Sequence, residues 1–124
     1  MCFKEYIKKF KVKYLEEKIK SLDEKLPSFK EGEDCCRKKF RFIGMVQGVG
    51  FRIETKLVAD KLGLTGKAMN LYDGSVEVEV QGEREKIDYL VEYLHRVKRF
   101  QIESYEEQEV AYENEEKEFV IGIK

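Results

Sequence analysis

The chain predicts an α/β sandwich of the ferredoxin-like kind. The expected order is βαββαβ with a last short strand: an antiparallel sheet with two helices on one face. Three observations carry this. Two segments repeat apolar residues at helical spacing, Ile53, Leu57, Val58 and Leu62 in one and Ile87, Leu90, Val91, Leu94 and Val97 in the other. Two segments alternate with period two: Val76, Val78 and Val80 against Glu77 and Glu79, and later Phe119, Ile121 and Ile123. Between the first helix and the first alternating strand, Tyr72-Asp73-Gly74 is a hairpin signal, because Asp-Gly readily takes the backbone angles of a tight turn.

Residues Met1 to Leu26 read as amphipathic helix. Phe3, Ile7, Phe10 and Tyr14 make one stripe, and Leu15, Ile19, Leu22 and Leu26 continue it, offset by one residue. Ser21 and Glu24 have capping-box spacing, so two helices fit as well. Pro27 ends the segment. Such a stripe suits docking on the chain's own domain or on a second copy, which would make a homo-oligomer. Glu residues among the Lys of its polar face weigh against a membrane-surface helix. Residues Ser28 to Lys39 are polar and read as a linker. The chain thus divides into an extension and linker, 1–37, and a domain, 38–124.

Within the domain, a first strand is expected over Phe40 to Val46 and a first helix from Phe51 or Arg52 to Leu62, capped by Gly63. A second strand covers Gly66 to Leu71 and a third Ser75 to Gln81. The second helix runs from Glu83 to Val97, opened by acidic residues and closed by Arg96, Lys98 and Arg99 as the helix dipole prefers. The fourth strand lies within Gln101 to Tyr112 and the fifth spans Glu118 to Ile123. The acidic residues from Glu103 to Glu118 read as a solvated hairpin and sheet edge.

Composition narrows the class. The 124 residues are enough for one domain plus an appendage. Lys+Arg 24 against Asp+Glu 25 gives a formal net charge of −1, which offers a nucleic-acid or membrane role no global support. Cys2, Cys35 and Cys36 do not make a disulfide framework, and no Cys/His cluster has metal-ligand spacing, so neither structural zinc nor any other metal is expected. Cys35 and Cys36 read as two free thiols rather than intermolecular bridges. No signal peptide or membrane span is expected, and a reducing cytoplasm is the default compartment.

The chemistry centres on Val46-Gln47-Gly48-Val49-Gly50-Phe51-Arg52, where a strand meets a glycine-rich turn and a helix starts. Gly48 and Gly50 open backbone angles closed to other residues and leave room for a ligand. Successive N–H groups of such a turn, together with the unpaired N–H groups of the first helical turn, converge on an anion. Arg52 adds a planar, permanently charged fork suited to phosphate oxygens. The stretch has neither the Gly-Lys-Ser/Thr ending of a P-loop nor the three-glycine spacing of a dinucleotide loop.

The string Val-Gln-Gly-Val-Gly-Phe-Arg resembles the signature of the acylphosphatase family. Downstream, Leu62-Gly63-Leu64-Thr65-Gly66 and Asn70-Leu71-Tyr72-Asp73-Gly74-Ser75-Val76-Glu77-Val78 resemble its second signature, at the right separation. The resemblance implies the same fold and hydrolysis of an acyl phosphate to a carboxylate and inorganic phosphate, without metal or cofactor. It puts Arg52 and Asn70 at the family's two catalytic positions. A right-handed crossover makes the first two strands parallel, so Asn70, late in the second, shares one sheet edge with the loop and Arg52. The amide of Asn70 would then hold a water for attack on phosphorus. Taken alone, Asn70 is equally suited to forming the turn. Thr55 is expected to support the site from the first helical turn. Gln47 is read as shaping the loop, and His95 as a surface residue.

The chain departs from the family pattern in two places. Lys67, Ala68 and Met69 stand where tryptophan and valine are common, and Val97-Lys98-Arg99-Phe100 replaces the usual Gly-Pro. An alternative to the enzyme is a non-catalytic module of the same fold that binds phosphate or carbamoyl phosphate. Related domains begin the hydrogenase-maturation carbamoyltransferases, where Pro-Phe typically follows the arginine. Here Ile53-Glu54 follows. A third reading, RNA binding on the open sheet face, is opposed by Glu77 and Glu79.

Overall fold

A computed structural model of the protein describes residues 34–123. The helix expected over Met1–Leu26, its stop at Pro27, the second-copy contact assigned to it and the linker up to Glu33 lie outside the described residues. The elements are β1 (Cys35–Met45), α1 (Phe51–Leu62), β2 (Thr65–Asn70), β3 (Val76–Glu83), α2 (Arg84–Arg96), β4 (Gln101–Val110) and β5 (Phe119–Ile123). They form one five-stranded sheet in the order β4-β1-β3-β2-β5.

Two details differ from the sequence reading. The sheet is mixed, because β5 pairs with β2 in parallel while the other neighbours are antiparallel. The chain leaves β4 on one edge and reaches the opposite edge to start β5. It therefore runs alongside β2 in β2's own direction. Second, β1 starts at Cys35 rather than Phe40, so the last part of the supposed linker is strand. Charge hid it: Arg37, Lys38 and Lys39 look like solvated linker, yet this stretch pairs with both β3 and β4. Cys36 and Arg37 are buried there, and both Cys35 and Cys36 are free thiols.

Alternation then divides β1 into two faces. Phe40 and Phe42 point to the helices, where Phe42 lies 5.3 Å from Phe51 and 5.7 Å from Phe40, centroid to centroid. Val76, Val78, Val80 and Ala68 continue this layer from β3 and β2, against Val58, Leu62, Ile87, Leu90 and Leu94 of the helices. Each such valine, leucine, isoleucine or phenylalanine contributes about 1.5–3 kcal/mol by leaving water. Gly66 lets β2 and β3 approach closely: a Cβ there would stand 1.9 Å from the carbonyl oxygen of Glu79.

The open face is a charge ladder. Arg41 donates to both carboxylate oxygens of Glu106, and Lys39 lies opposite Glu79. Arg37, only 1% exposed, donates to Glu79, Gln81 and Glu116. Burial acts to lower its pKa, but the hydrogen bonds to Glu116 and Glu79 outweigh it and hold the guanidinium charged. Gln81 exchanges two hydrogen bonds with the backbone of Glu113. The β4–β5 connection is thereby pinned under the sheet.

Candidate active site

The site end of the sheet is where β1 and β2 finish. A register shift between Ile43 and Gly44 bends the last turn of β1 before the loop. Over Gln47–Gly50, φ alternates in sign: Gly48 has φ 74° and Gly50 φ 79°, and no non-glycine residue is positive. Alternating signs turn successive N–H groups to one side, the backbone geometry of a nest. A side chain on Gly48 would meet nothing within 4 Å, so the mouth of the loop is open. Val46 and Phe51, at the two ends, are buried and anchor the loop in the core. The first helical bond runs from Glu54 N–H to the Gly50 carbonyl at 3.0 Å, which leaves the N–H groups of Phe51, Arg52 and Ile53 beyond the helix's own bonding.

Arg52 is half-buried in the first turn of α1. Its Nη1 donates to the carbonyl of Gly122 on β5 at 2.8 Å. Gly122 lies opposite Met69, and Asn70 opposite Ile123, so Arg52 is tied one residue pair from Asn70. Asn70 is the last residue of β2. Its Oδ1 is buried and has no hydrogen-bond partner among the described residues. An unsatisfied buried acceptor costs about 1–3 kcal/mol, so a donor beyond the described residues would stabilise it. Thr55 is fully buried, and its hydroxyl donates to the Phe51 carbonyl at 2.8 Å. That contact ties the first turn of α1 to the end of the loop.

Two side chains tie the loop to its surroundings: Gln47, expected to shape the loop, and Arg99, which was given no part in it. Gln47 Nε2 donates to the carbonyls of Leu71 and Ser75, each at 2.8 Å. These carbonyls belong to the hairpin that follows Asn70, so one amide couples the loop to the strand end. The same hairpin is closed from within by Asp73, which accepts from the N–H and hydroxyl of Ser75 and pairs with Arg41. Those Ser75 bonds hold the Asp73 carboxyl below the usual carboxylate range. Arg99 lies past the end of α2, which stops at Arg96, and is not one of its dipole-closing residues. Its Nε donates to the Val49 carbonyl at 2.8 Å. The sequence signal was its place in Val97–Phe100, where the chain leaves the family pattern.

The other departure sorts by face. Ala68 is fully buried, Lys67 lies opposite Glu79, and the Met69 sulfur would stand 3.1 Å from a Cβ on Gly122. His95 sits on the β4 side, edge-on to Tyr105, with Nδ1 2.8 Å from the Val91 carbonyl. Among the described residues no group of three or more His, Cys, Asp or Glu could hold a metal ion, and no helix is long and apolar enough to cross a membrane. A shallow 200 Å³ concavity on the open face is lined by Lys39, Arg41, Glu77, Glu106, Glu107 and Gln108, an acidic surround that disfavours anions.

Residues 38–121 match the acylphosphatase family model. An acylphosphatase of Caldanaerobacter subterraneus subsp. tengcongensis is 42% identical over 82 residues, which cover 65% of this chain and 91% of that protein. One from Vibrio parahaemolyticus is 49% identical over 75 residues, 58% of this chain and 83% of that one. Among solved structures, an acylphosphatase from Coxiella burnetii aligns with a TM-score of 0.63 at 28% identity, covering 77% of this chain and 100% of its own. Full-length HypF in its phosphate- and nucleotide-bound form aligns with a TM-score of 0.65 at 26% identity, covering 73% of this chain but only 12% of that one.

Proposed function

The chain belongs to the acylphosphatase family, whose reaction is the hydrolysis of acyl phosphates, and from that premise we propose the roles of its residues. The loop Val46–Phe51 and Arg52 grip the nonbridging oxygens of the phosphoryl group, and Asn70 holds the attacking water. The single observation that carries this reading is the buried Oδ1 of Asn70, without a hydrogen-bond partner among the described residues, one residue pair from the Gly122 carbonyl that Arg52 holds. Oδ1 accepts a proton of the water and so turns a lone pair toward phosphorus.

Phosphoryl transfer asks little covalent help: it needs stabilised charge and an aligned nucleophile. The nest, the first-turn N–H groups and Arg52 supply the first, and bind charge better as it spreads over the equatorial oxygens. Asn70 supplies the second. A carboxamide is a poor base, but the leaving group is a carboxylate that needs no proton, and a phosphoryl oxygen takes the proton of the water. Thr55 supports the site by fixing the turn that carries Phe51 and Arg52. The adjacent free thiols of Cys35 and Cys36 fit a reducing cytoplasm, where we place the protein.

The test is hydrolysis of benzoyl phosphate with a chelator present. Arg52→Ala and Asn70→Ala should each lose about a hundred- to a thousandfold in kcat, the worth of a contact of about 3–4 kcal/mol. A folded wild type that binds inorganic phosphate without turnover would favour the non-catalytic binding module instead.

A further inference from the structure

We propose that Arg99 is a positioning residue: from behind the loop it fixes the Val49–Gly50 peptide so that the Gly50 N–H faces the phosphoryl group. The inference rests on the reading above, in which the loop grips that group.

The geometry starts from the peptide plane. Among the described residues no peptide is cis, and a trans peptide sets its C=O and its N–H in opposite directions. Arg99 Nε donates to the Val49 carbonyl at 2.8 Å. The guanidinium therefore lies on one side of this peptide, and the Gly50 N–H points to the other. That N–H has no hydrogen-bond partner among the described residues, and Gly50 is exposed. It is free to donate to an anion seated in the loop. Arg99 acts on that anion only through the peptide it holds.

Glycine makes such a brace necessary. Turning over one peptide plane changes ψ of the residue before it and φ of the residue after it. At Gly50 this takes φ from 79° to a negative value, and glycine accepts both signs about as readily. The turned peptide would aim the Val49 carbonyl, rather than an N–H, at the phosphoryl oxygens. A charged donor on the carbonyl selects the productive orientation. It also polarises the amide, which makes its N–H a stronger donor.

Arg99 is itself held in place. Phe100 N–H donates to the Val97 carbonyl at 3.1 Å, which closes the turn after α2. The buried ring of Phe100 packs 4.7 Å from that of Phe51 at the end of the loop, and Cζ of Arg99 lies 4.8 Å from the Phe100 centroid. A Cβ on Gly50 would lie 3.5 Å from Nη2, so the guanidinium rests against the residue whose N–H it aims. Replacing Arg99 does not strand Glu54. Its carboxylate lies 3.6 Å from Nη2 but also accepts from the Tyr93 hydroxyl at 3.2 Å.

Amide spectra of the full chain, with and without inorganic phosphate, test this beside benzoyl phosphate hydrolysis. In Arg99→Met without phosphate, the Gly50 amide resonance should move or broaden as the peptide samples both orientations. Saturating phosphate should return it toward its position in phosphate-bound wild type. KM and the inhibition constant of inorganic phosphate should both rise about tenfold, with kcat near wild type, because a bound phosphoryl group draws the peptide back. Arg99→Lys, which keeps a charged donor, should recover part of the affinity. A Gly50 resonance unchanged in Arg99→Met overturns the proposal. So does a disturbance that spreads through α1 and persists at saturation, or a loss confined to kcat. If Arg99→Met does not fold, Arg99→Gln carries the same comparison. If phosphate moves neither the Gly50 nor the Phe51 amide of wild type, the underlying site reading fails, whatever the Arg99 variants do.

Discussion

Gln47 gives the sharpest test of how the site is assembled. Its amide nitrogen makes two hydrogen bonds at 2.8 Å to carbonyls on the far side of the site. Gln47→Leu removes both. Neither carbonyl is orphaned, because Leu71 N–H still bonds the Ser75 carbonyl and Gly74 N–H the Leu71 carbonyl. The stability loss should therefore be about 1–3 kcal/mol, from two neutral bonds worth about 0.5–1.5 kcal/mol each. Gln47→Glu keeps the shape but turns an acceptor toward two acceptors. Repulsion and desolvation of the new charge add to the loss, for about 2–4 kcal/mol in all. Activity should fall further than stability. The loop and Asn70 lose their common tether, and a shift of about 1 Å in such a site costs about a hundredfold in kcat. Denaturant unfolding and benzoyl phosphate hydrolysis on the same preparations read both effects. Equal behaviour of the Leu and Glu variants, or stability loss with kcat intact, would refute the coupling.

Three further outcomes follow from the fold and the site. Arg37→Met should cost about 2–4 kcal/mol, somewhat below the figure for a fully buried pair because Glu79 and Glu116 keep partial contact with water. Amide exchange should speed up first in residues 111–118, which Arg37 pins. Gly66→Ala forces a methyl into the Glu79 carbonyl and should cost about 3 kcal/mol or more, read as a fall in the unfolding midpoint. Asp73 contributes stability above its unfolded pKa of about 3.9, and loses it as pH falls through its depressed folded value. Amide resonances of residues 71–75 should then hold steady from neutral pH to about pH 5 and shift only at more acid pH, whereas Asp73→Asn should flatten that response. A midpoint at or above the ordinary carboxylate value would refute the assignment.

The sequence made some of this legible for definite reasons. Ile87, Leu90 and Leu94 fall on one face of α2, and Val76, Val78 and Val80 on one face of β3, because each period matches its element and both faces are buried. Asn70 and Arg52 came from motif and topology together, since parallel strands bring their ends to one edge. What stayed hidden depends on pairing that no local pattern encodes. Arg37 is buried only because β3 and the β4–β5 connection supply three hydrogen-bond partners from distant positions. Its neighbours Lys38 and Lys39 made the strand look like linker. The parallel pairing of β5 depends on where the chain crosses the sheet. Gln47 was expected to shape the loop, but its partners, like that of Arg99, are backbone carbonyls, which carry no side-chain signature, so nothing in the string Val97–Phe100 pointed to Val49.

The central claim is that water held by Asn70 attacks phosphorus rather than the acyl carbon. One single turnover of benzoyl phosphate in water enriched in heavy oxygen decides it, with the products separated and weighed by mass spectrometry. The account predicts the label in inorganic phosphate, with benzoate unlabelled, and the same pattern at a much lower rate in Asn70→Ala. Label in benzoate would mean attack at the carbonyl, and would contradict the roles given to the loop, Arg52 and Asn70 together.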